Sequence, residues 1–479
     1  MNETYVVWFR NDFRFHDNPA VHAALNEAQE SDGNILFVFH LHPDFTGNTD
    51  LSNDYFFQTV RDFAEECEKI NVKLHIISGT PKEAFDLLTE RVGVINTVYH
   101  ARDFTPFALQ RDEEVRHTLQ KHRIRLESVR GNYIHEPFEI TKNNEEPYKV
   151  YTPYSRQWLR AEKTSLVQSD PDDISRFYGR IKAVDAESEK TFSTILNNCS
   201  SNWKKIGEKA ALHRLEFFIK NVLSRYHHTR DLPEKAGTSR LSPYLRTGTL
   251  SVRQVYNAAA VQLEGKNNEG PETFIKELAW RDFYTMILTH FPETAEKEFQ
   301  EKYRDLSWNN NQDHFSLWKQ GMTGFPIVDA GMRQLNQIGW MHNRLRMITA
   351  SFLTKDFQMD WRLGEKYFGE KLIDYDPASN IGGWQWAGSV GTDAVPYFRV
   401  FSPVRQSERF DPDGSYIRRY VPELKDVPDK FIHEPHKMPA DIQDKASCRI
   451  GKDYPEPIVD HKQERKRAIA MFKEEGELL

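Results

Sequence analysis

Cysteine is scarce. Cys67, Cys199 and Cys448 are the only three in 479 residues, widely separated and never in a Cys-x-x-Cys pair. That spacing excludes a disulfide framework and a thiolate zinc site, and it fits a reducing compartment. Long apolar runs are missing too; none approaches the ~18–20 residues that a membrane span needs. The opening MNETYVVWFRNDFRFHDN has no basic segment leading into an apolar one, so no secretory leader is expected. A cytoplasmic protein with no membrane partner is the expectation. Positive charge is not in excess either, because 64 Lys and Arg face 71 Asp and Glu, a formal net charge of −7. Any nucleic-acid surface must therefore be a local basic patch on an acidic protein. No Gly-x-Gly-x-x-Gly follows the first β-rich run, which removes the usual dinucleotide fingerprint. The 18 His residues, with the adjacent pair His227-His228, show no zinc-like spacing, so no metal is expected.

What is abundant is aromatic. Phe, Trp and Tyr make up 13% of the chain, with 10 Trp, which suits both core filling and stacking on flat ring systems. The length predicts more than one domain. Over residues 1–130, β-rich runs at Tyr5–Phe9, Ile35–His40, Lys73–Ile77, Val94–Tyr99 and Arg125–Val129 alternate with helical stretches. Those stretches are Pro19–Glu30, Tyr55–Ile70, Lys82–Arg91 and Pro106–His122, and Asp17-Asn18-Pro19 offers the first of them a cap and a proline at its opening turn. Such alternation predicts a Rossmann-like α/β domain with a parallel sheet covered by helices on both faces. Residues 131–201 are polar and aperiodic, and predict a long interdomain linker. From 202 to 479 the pattern is helical; in FIKELAWRDFYTMIL, residues Ile275, Leu278, Ala279, Phe283, Met286 and Ile287 recur at the spacing of a buried helix face. The fold expected is an α/β domain, a linker, and a larger all-α domain.

Five segments carry more than pattern. WFRNDFRFHDNPAVHAAL (8–25), TSRLSPYLRTGTLS (238–251), KELAWRDFY (276–284), GFPIVDAGMRQLNQIGWMHNRLRMITASFLTKD (324–356) and DYDPASNIGGWQWAGSVGTDAVPYFR (374–399) closely resemble the photolyase/cryptochrome family. The similarity runs from the first strand to about Pro422, and is nearest to the bacterial class I photolyases acting on cyclobutane pyrimidine dimers. The resemblance implies that the helical domain holds FAD, in the fully reduced form when active.

By that resemblance, the cofactor residues are Tyr226, Thr238, Ser239, Arg240, Leu241, Ser242, Phe274, Asn343, Arg346, Asp374, Tyr375, Asp376 and Asn380. Small hydroxyls and backbone N–H groups around Thr238–Ser242 suit a pyrophosphate, although Thr-Ser is also an ordinary helix cap. Asp374 and Asp376 match carboxylates near the flavin and ribose; the plainer alternative pairs one of them with Arg346. Asn380 matches the position facing flavin N5, where an amide hydrogen-bonds without titrating. Trp384, Trp361 and Trp308 match an electron-transfer chain running from the flavin to the surface, against the alternative that Trp361 and Trp384 are core aromatics.

A base inside a duplex must be flipped out of the stack before chemistry can reach it. The family places Trp280, Trp386 and Met347 around the lesion, and a carboxylate, here Glu277, on its pyrimidine edge. Arg230, Arg281, Asn343, Arg344 and Gln406 match DNA-facing positions, and Arg333, Arg344, Arg346, Arg399 and Arg405 could form a basic rim. The expected activity is light-driven splitting of the dimer by an electron passed from FAD and then returned, a carbon–carbon lyase reaction on damaged double-stranded DNA by a monomer. The alternatives are a (6-4) photolyase, a DASH-type member acting on single strands, and a signalling cryptochrome. Asn380, Trp280 and Trp386 weigh against the last. A second, light-harvesting chromophore is typical of the family. The Asn-Glu pair of folate-binding members is replaced here by Phe107-Ala108, so folate, deazaflavin and no antenna all remain open.

Overall fold

The first strand, TYVVWF (Thr4–Phe9, β1), has every residue buried, which only a central parallel strand permits. In the computed structural model it lies between Asn34–Leu41 (β2) and Ile95–Ala101 (β4), with Leu74–Ser78 (β3) and Arg125–Val129 (β5) outermost. The order is β3-β2-β1-β4-β5, every pairing parallel. The order reverses between β1 and β4, the switch point of a doubly wound sheet. The structure describes residues 3–47, 50–181, 184–265, 268–396 and 398–477.

Helices Pro19–Ser31 (α1), Leu51–Lys69 (α2), Pro81–Val92 (α3) and Pro106–Lys121 (α4) join the strands. Asn18 caps α1, its side chain accepting from the N–H groups of Ala20 and Val21, with proline at the first turn as the sequence suggests. Strand and helix limits fall within a few residues of those expected; α2 starts four residues earlier because Asp50, not a residue near Tyr55, caps it.

The stretch expected as a linker is less irregular than its composition implies. It carries Tyr151–Arg160 (α5), Pro171–Phe177 (α6) and Ala186–Asn197 (α7). Asp170 and Asp185 cap the last two, so acidic residues that read as loop are helix starts. Ile174, Tyr178, Val184 and Phe192 then join the sheet's own apolar core.

The rest is helical: Gly207–Asn221 (α8), Tyr226–Thr229 (α9), Ser242–Thr247 (α10), Val252–Ala260 (α11), Glu269–His290 (α12), Gln312–Gln320 (α13), Pro326–Ile338 (α14) and Asn343–Ser351 (α15). After a π-helical turn at Phe352–Asp356 come Trp361–Lys371 (α16), Pro377–Gly388 (α17), Pro403–Phe410 (α18), Ser415–Tyr420 (α19), Ala440–Lys445 (α20) and His461–Glu477 (α21). All six apolar positions expected to line α12 are buried. Two compact units result. The first holds residues 1–148, 152–224 and 239–290; the second holds 149–151, 225–238 and 291–479. The first unit thus takes α8 and α10–α12 as well as the sheet. Among the described residues no helix is long and apolar enough to cross a membrane.

Candidate functional site

In the first unit the expected site residues sit on two stretches. Ser239, Arg240 and Leu241 lead into α10. Arg240 has a φ of 51°, the left-handed region, and Leu241 N–H donates to Ser239 Oγ at 3.4 Å. The plain helix-cap reading of Thr-Ser does not hold, since the cap position is Leu241 and no side chain caps α10. Ser239 is half-buried, whereas Arg240 and Ser242 are exposed. Arg214 of α8 donates to the Ser239 carbonyl at 2.6 Å, fixing the turn from below.

The second stretch is α12. Phe274 is buried against Phe218, ring centroids 4.6 Å apart. Glu277, Trp280 and Arg281 follow at helical spacing, so they share one side of α12, and all three are half-buried. Trp280 packs on Phe283 and Tyr284 at 5.6 and 5.4 Å. Arg281, expected on DNA, donates to the Asn132 carbonyl and lies 5.4 Å from the Tyr133 ring, so part of its fork is committed within the protein.

The α/β part of this unit places Phe107 and Ala108 at the start of α4. Phe107 packs edge-on against His42 and Phe45, at 5.2 and 5.4 Å, with the Arg111 guanidinium 5.6 Å from its ring. Burial lowers the His42 pKa from its ordinary value, and that of neighbouring His40 to about 4.

The second unit carries the rest. Tyr226 opens α9 and is buried, with the Arg230 guanidinium 5.7 Å from its ring. Thr238 is half-buried. Helix α15 begins at exposed Asn343, whose amide points at Met347 Sδ, 3.9 Å away. Arg344, expected on phosphate, forms an ion pair with Asp231 at 2.9 Å and lies over Phe410 at 4.3 Å. Arg346 binds both oxygens of Asp374, at 3.0 and 2.8 Å, so Asp374 is the carboxylate that takes the arginine. Asp376 instead caps α17, accepting from Ser379 N–H at 2.8 Å, and remains half-exposed. Of the five arginines of the expected basic rim, Arg333, Arg344 and Arg346 are neutralised by Glu423, Asp231 and Asp374. Arg399 and Arg405 are exposed. Gln406 lies half-buried on α18.

Helices α16 and α17 meet along one strip. Asn380 Nδ2 donates to Glu365 Oε1 at 3.0 Å and to the Glu365 carbonyl at 3.2 Å. Tyr375 donates its hydroxyl to the same carboxylate oxygen at 2.9 Å. Burial raises the Glu365 pKa, and these two hydrogen bonds oppose the rise. One turn along α17, buried Trp384 lies over Gly364; a Cβ there would stand 2.1 Å from the indole edge. Trp361 begins α16 and is buried; Trp308 is half-buried beside Phe472, centroids 6.3 Å apart. Trp386, two residues past Trp384 and so on the other side of α17, is half-buried and packs on Phe401.

Glu365 and Glu298, the latter bonded to the Trp361 indole, were not legible in the sequence. Both lie outside the recognisable segments, and a lone glutamate, on a helix like Glu365 or in a loop like Glu298, gives no sign of a partner on another element. The donor set fits FAD. In the first unit the half-exposed Ser239 hydroxyl and the exposed Arg240 at a left-handed turn suit phosphate, and in the second the pinned Asn380 amide suits the edge of a flat conjugated ring.

Residues 5–172 match the family model described as DNA photolyase, and residues 274–474 the model described as FAD binding domain of DNA photolyase. A deoxyribodipyrimidine photo-lyase of Alkalihalophilus pseudofirmus is 48% identical over 98% of both chains, and that of Escherichia coli 37% identical over 98% of both. The crystal structure of a bacterial class III photolyase from Agrobacterium tumefaciens is 35% identical, with a TM-score of 0.86 over 100% of this chain and 98% of that one. Similarity of this extent, spanning both the sheet and the helices, makes this chain a member of the DNA photolyase family.

Proposed function

We propose that the protein is a light-driven deoxyribodipyrimidine photo-lyase that splits cyclobutane pyrimidine dimers in damaged double-stranded DNA, acting as a cytoplasmic monomer. The observation that carries this reading is the 48% identity, over 98% of both chains, to a protein of that name. Functionally, residues 1–130 form the antenna-type domain, 131–201 the connector and 202–479 the catalytic part.

FAD, when bound and reduced, supplies the electron that opens the cyclobutane ring on illumination. The chain's own residues bind, orient and exclude water. Thr238, Ser239, Arg240 and Ser242 hold the pyrophosphate, with Tyr226, Leu241 and Phe274 walling the site. Asp376 and Tyr375 flank the ribose and flavin, and Arg346 with Asp374 fixes the local backbone from behind. Asn380, its amide N–H groups held by Glu365, would hydrogen-bond the flavin without itself titrating. Glu277 takes the pyrimidine edge, Trp280 and Trp386 each offer the lesion a flat indole face, and Met347 is a soft apolar contact. Arg230, Arg281, Asn343, Arg344 and Gln406 meet the DNA backbone. Trp308, Trp361 and Trp384 relay electrons inward, a role supported by two buried indoles and a third that reaches solvent.

The test is repair of a duplex carrying one defined thymine cyclobutane dimer, with reduced FAD-loaded protein in light and in darkness. Loss of dimers in light alone is expected. Repair of a (6-4) lesion instead, or of neither by protein shown to hold reduced FAD, overturns the assignment.

A further inference from the structure

A buried indole N–H needs one acceptor, and a backbone carbonyl is the inexpensive choice. Trp318, fully buried in the second unit, makes that choice and donates to the Thr349 carbonyl at 3.1 Å. Trp361, equally buried, does not. Its Nε1 donates to Oε1 of Glu298 at 3.2 Å, and Glu298 is only 1% exposed. Arg362 holds the same carboxylate from the other side, Nη2 to Oε2 at 2.7 Å and Nη1 to Oε1 at 3.0 Å. Further bonds from Arg362 reach the Glu296 carbonyl at 2.5 Å and Asp360 at 2.9 Å, so the guanidinium is locked. Placing a carboxylate in the interior is unfavourable unless it is paired, and a carbonyl would have satisfied the indole without it.

We infer that Glu298 is a positioning residue that makes Trp361 easier to oxidise, which sets the middle step of the electron relay. The inference rests on the reading of Trp361 as that middle member. Removing one electron from the indole leaves a positive charge on the ring and turns its N–H into a far stronger donor. A carboxylate already bonded to that N–H gains on both counts, and low local polarity enlarges the gain. Arg362 opposes it, with its guanidinium carbon 4.8 Å from the ring centroid. Distance and burial decide the sign. The carboxylate is nearer, at the atom whose acidity rises, and almost fully buried, whereas the Arg362 side chain is 32% exposed and water screens it. The pair is a fixed dipole with its negative end on the indole. Electrons balance without a proton leaving: one passes from Trp361 to the oxidised Trp384, and one arrives from Trp308.

The experiment uses the FAD-loaded full chain carrying Trp308→Phe, which removes the outer donor and leaves the oxidised state on Trp361. After a light pulse, the absorbance of the oxidised tryptophan is followed in time. Adding Glu298→Gln is expected to lower its yield or lifetime by about tenfold or more. Glu298→Asp, which keeps the charge, is expected to restore most of it. Indole N–H vibrational bands of the flavin-free protein give a readout independent of the cofactor, and should shift with Glu298→Gln to a weaker hydrogen bond. An unchanged lifetime in a folded Glu298→Gln protein whose N–H band has shifted overturns the inference. So does a loss that Glu298→Asp fails to recover while FAD content and unfolding midpoint fall in parallel, since that is a packing role. Trp361→Phe separates the two readings: if photoreduction of FAD survives it, the relay itself fails, and the tuning role falls with it.

Discussion

Charged groups inside the two units are used in opposite ways. In the first unit, Asp17 and Arg253 form an ion pair at 2.9 Å, with side chains 1% and 3% exposed. Asp17 also accepts from the Ser251 hydroxyl and from Val167 N–H at 3.0 Å, and its carbonyl accepts from Arg14 Nη2 at 2.7 Å. Arg14 continues to Asn132 and the Gly248 carbonyl, both at 2.8 Å, and its burial beside Arg253 lowers its pKa to about 10. The network ties the loop after β1, the segment after β5 and helix α11 together. In the second unit, Asp376, Asn380, Tyr375 and Arg346 each have a protein partner and yet stay half-exposed. This closed network, which contains none of the proposed relay tryptophans, holds the chain in shape. Groups fixed on one side and open on the other are set to meet something else.

The strongest way to break this contrast is Asp17→Asn. Asp17 has a φ of 51°, which asparagine tolerates, so backbone strain is not introduced. The change leaves Arg253 buried without its ion-pair partner, while Arg14 keeps Asp12 and Glu208 nearby, and should cost about 3–5 kcal/mol of stability. Chemical denaturation monitors this, with FAD content measured on the folded fraction. A loss well under 1 kcal/mol would show that water reaches the network and that it is not closed.

Gly364→Ala probes the open side. The added methyl would press on the Trp384 indole at 2.1 Å, and overpacking of this kind costs about 1–3 kcal/mol. The indole must shift, and Asn380, one turn away on the same side of α17, shifts with it. Photoreduction of bound FAD should therefore fall more than stability does. Equal losses would place Gly364 with ordinary core packing and weaken the case that the α16–α17 strip is functional.

How much of this was legible in the sequence depends on whether a feature is local. Strands β1 to β4 announce themselves as short runs rich in β-branched and aromatic residues, β5 (RLESV) follows from the alternation with helices, and Asn18-Pro19 marks a helix start within two residues. Helices α6 and α7 were hidden, because their caps Asp170 and Asp185 lie in acidic, polar stretches and Ile174 and Phe192 are too sparse to show a period. The tryptophans and Asn380 were legible only through the family resemblance. Their partners Glu298, Gly364 and Glu365 were not, because each acts on a residue of another element that no spacing along the chain encodes. Arg281 and Arg344 looked like surface cations for the same reason; Asn132 and Asp231, which engage them, are more than 100 residues away in sequence.

The smallest effect completes the series by keeping an ion pair and removing its burial. His16 Nδ1 meets Glu208 Oε1 at 2.8 Å, with the imidazole side chain 65% exposed. The hydrogen bond to Glu208 raises the His16 pKa above its ordinary 6.5, the folded state binding the proton more tightly than the unfolded one. The pair's contribution is therefore complete below pH 6.5 and disappears as pH rises through the raised value. Solvent screening limits it to less than about 1 kcal/mol. His16→Gln should remove that part of the pH dependence, which begins above pH 6.5, with little change in midpoint at high pH. If instead the variant loses as much stability as Asp17→Asn at every pH, burial is not what separates the closed network from the exposed pair. The contrast between the two units would then have to rest on geometry alone.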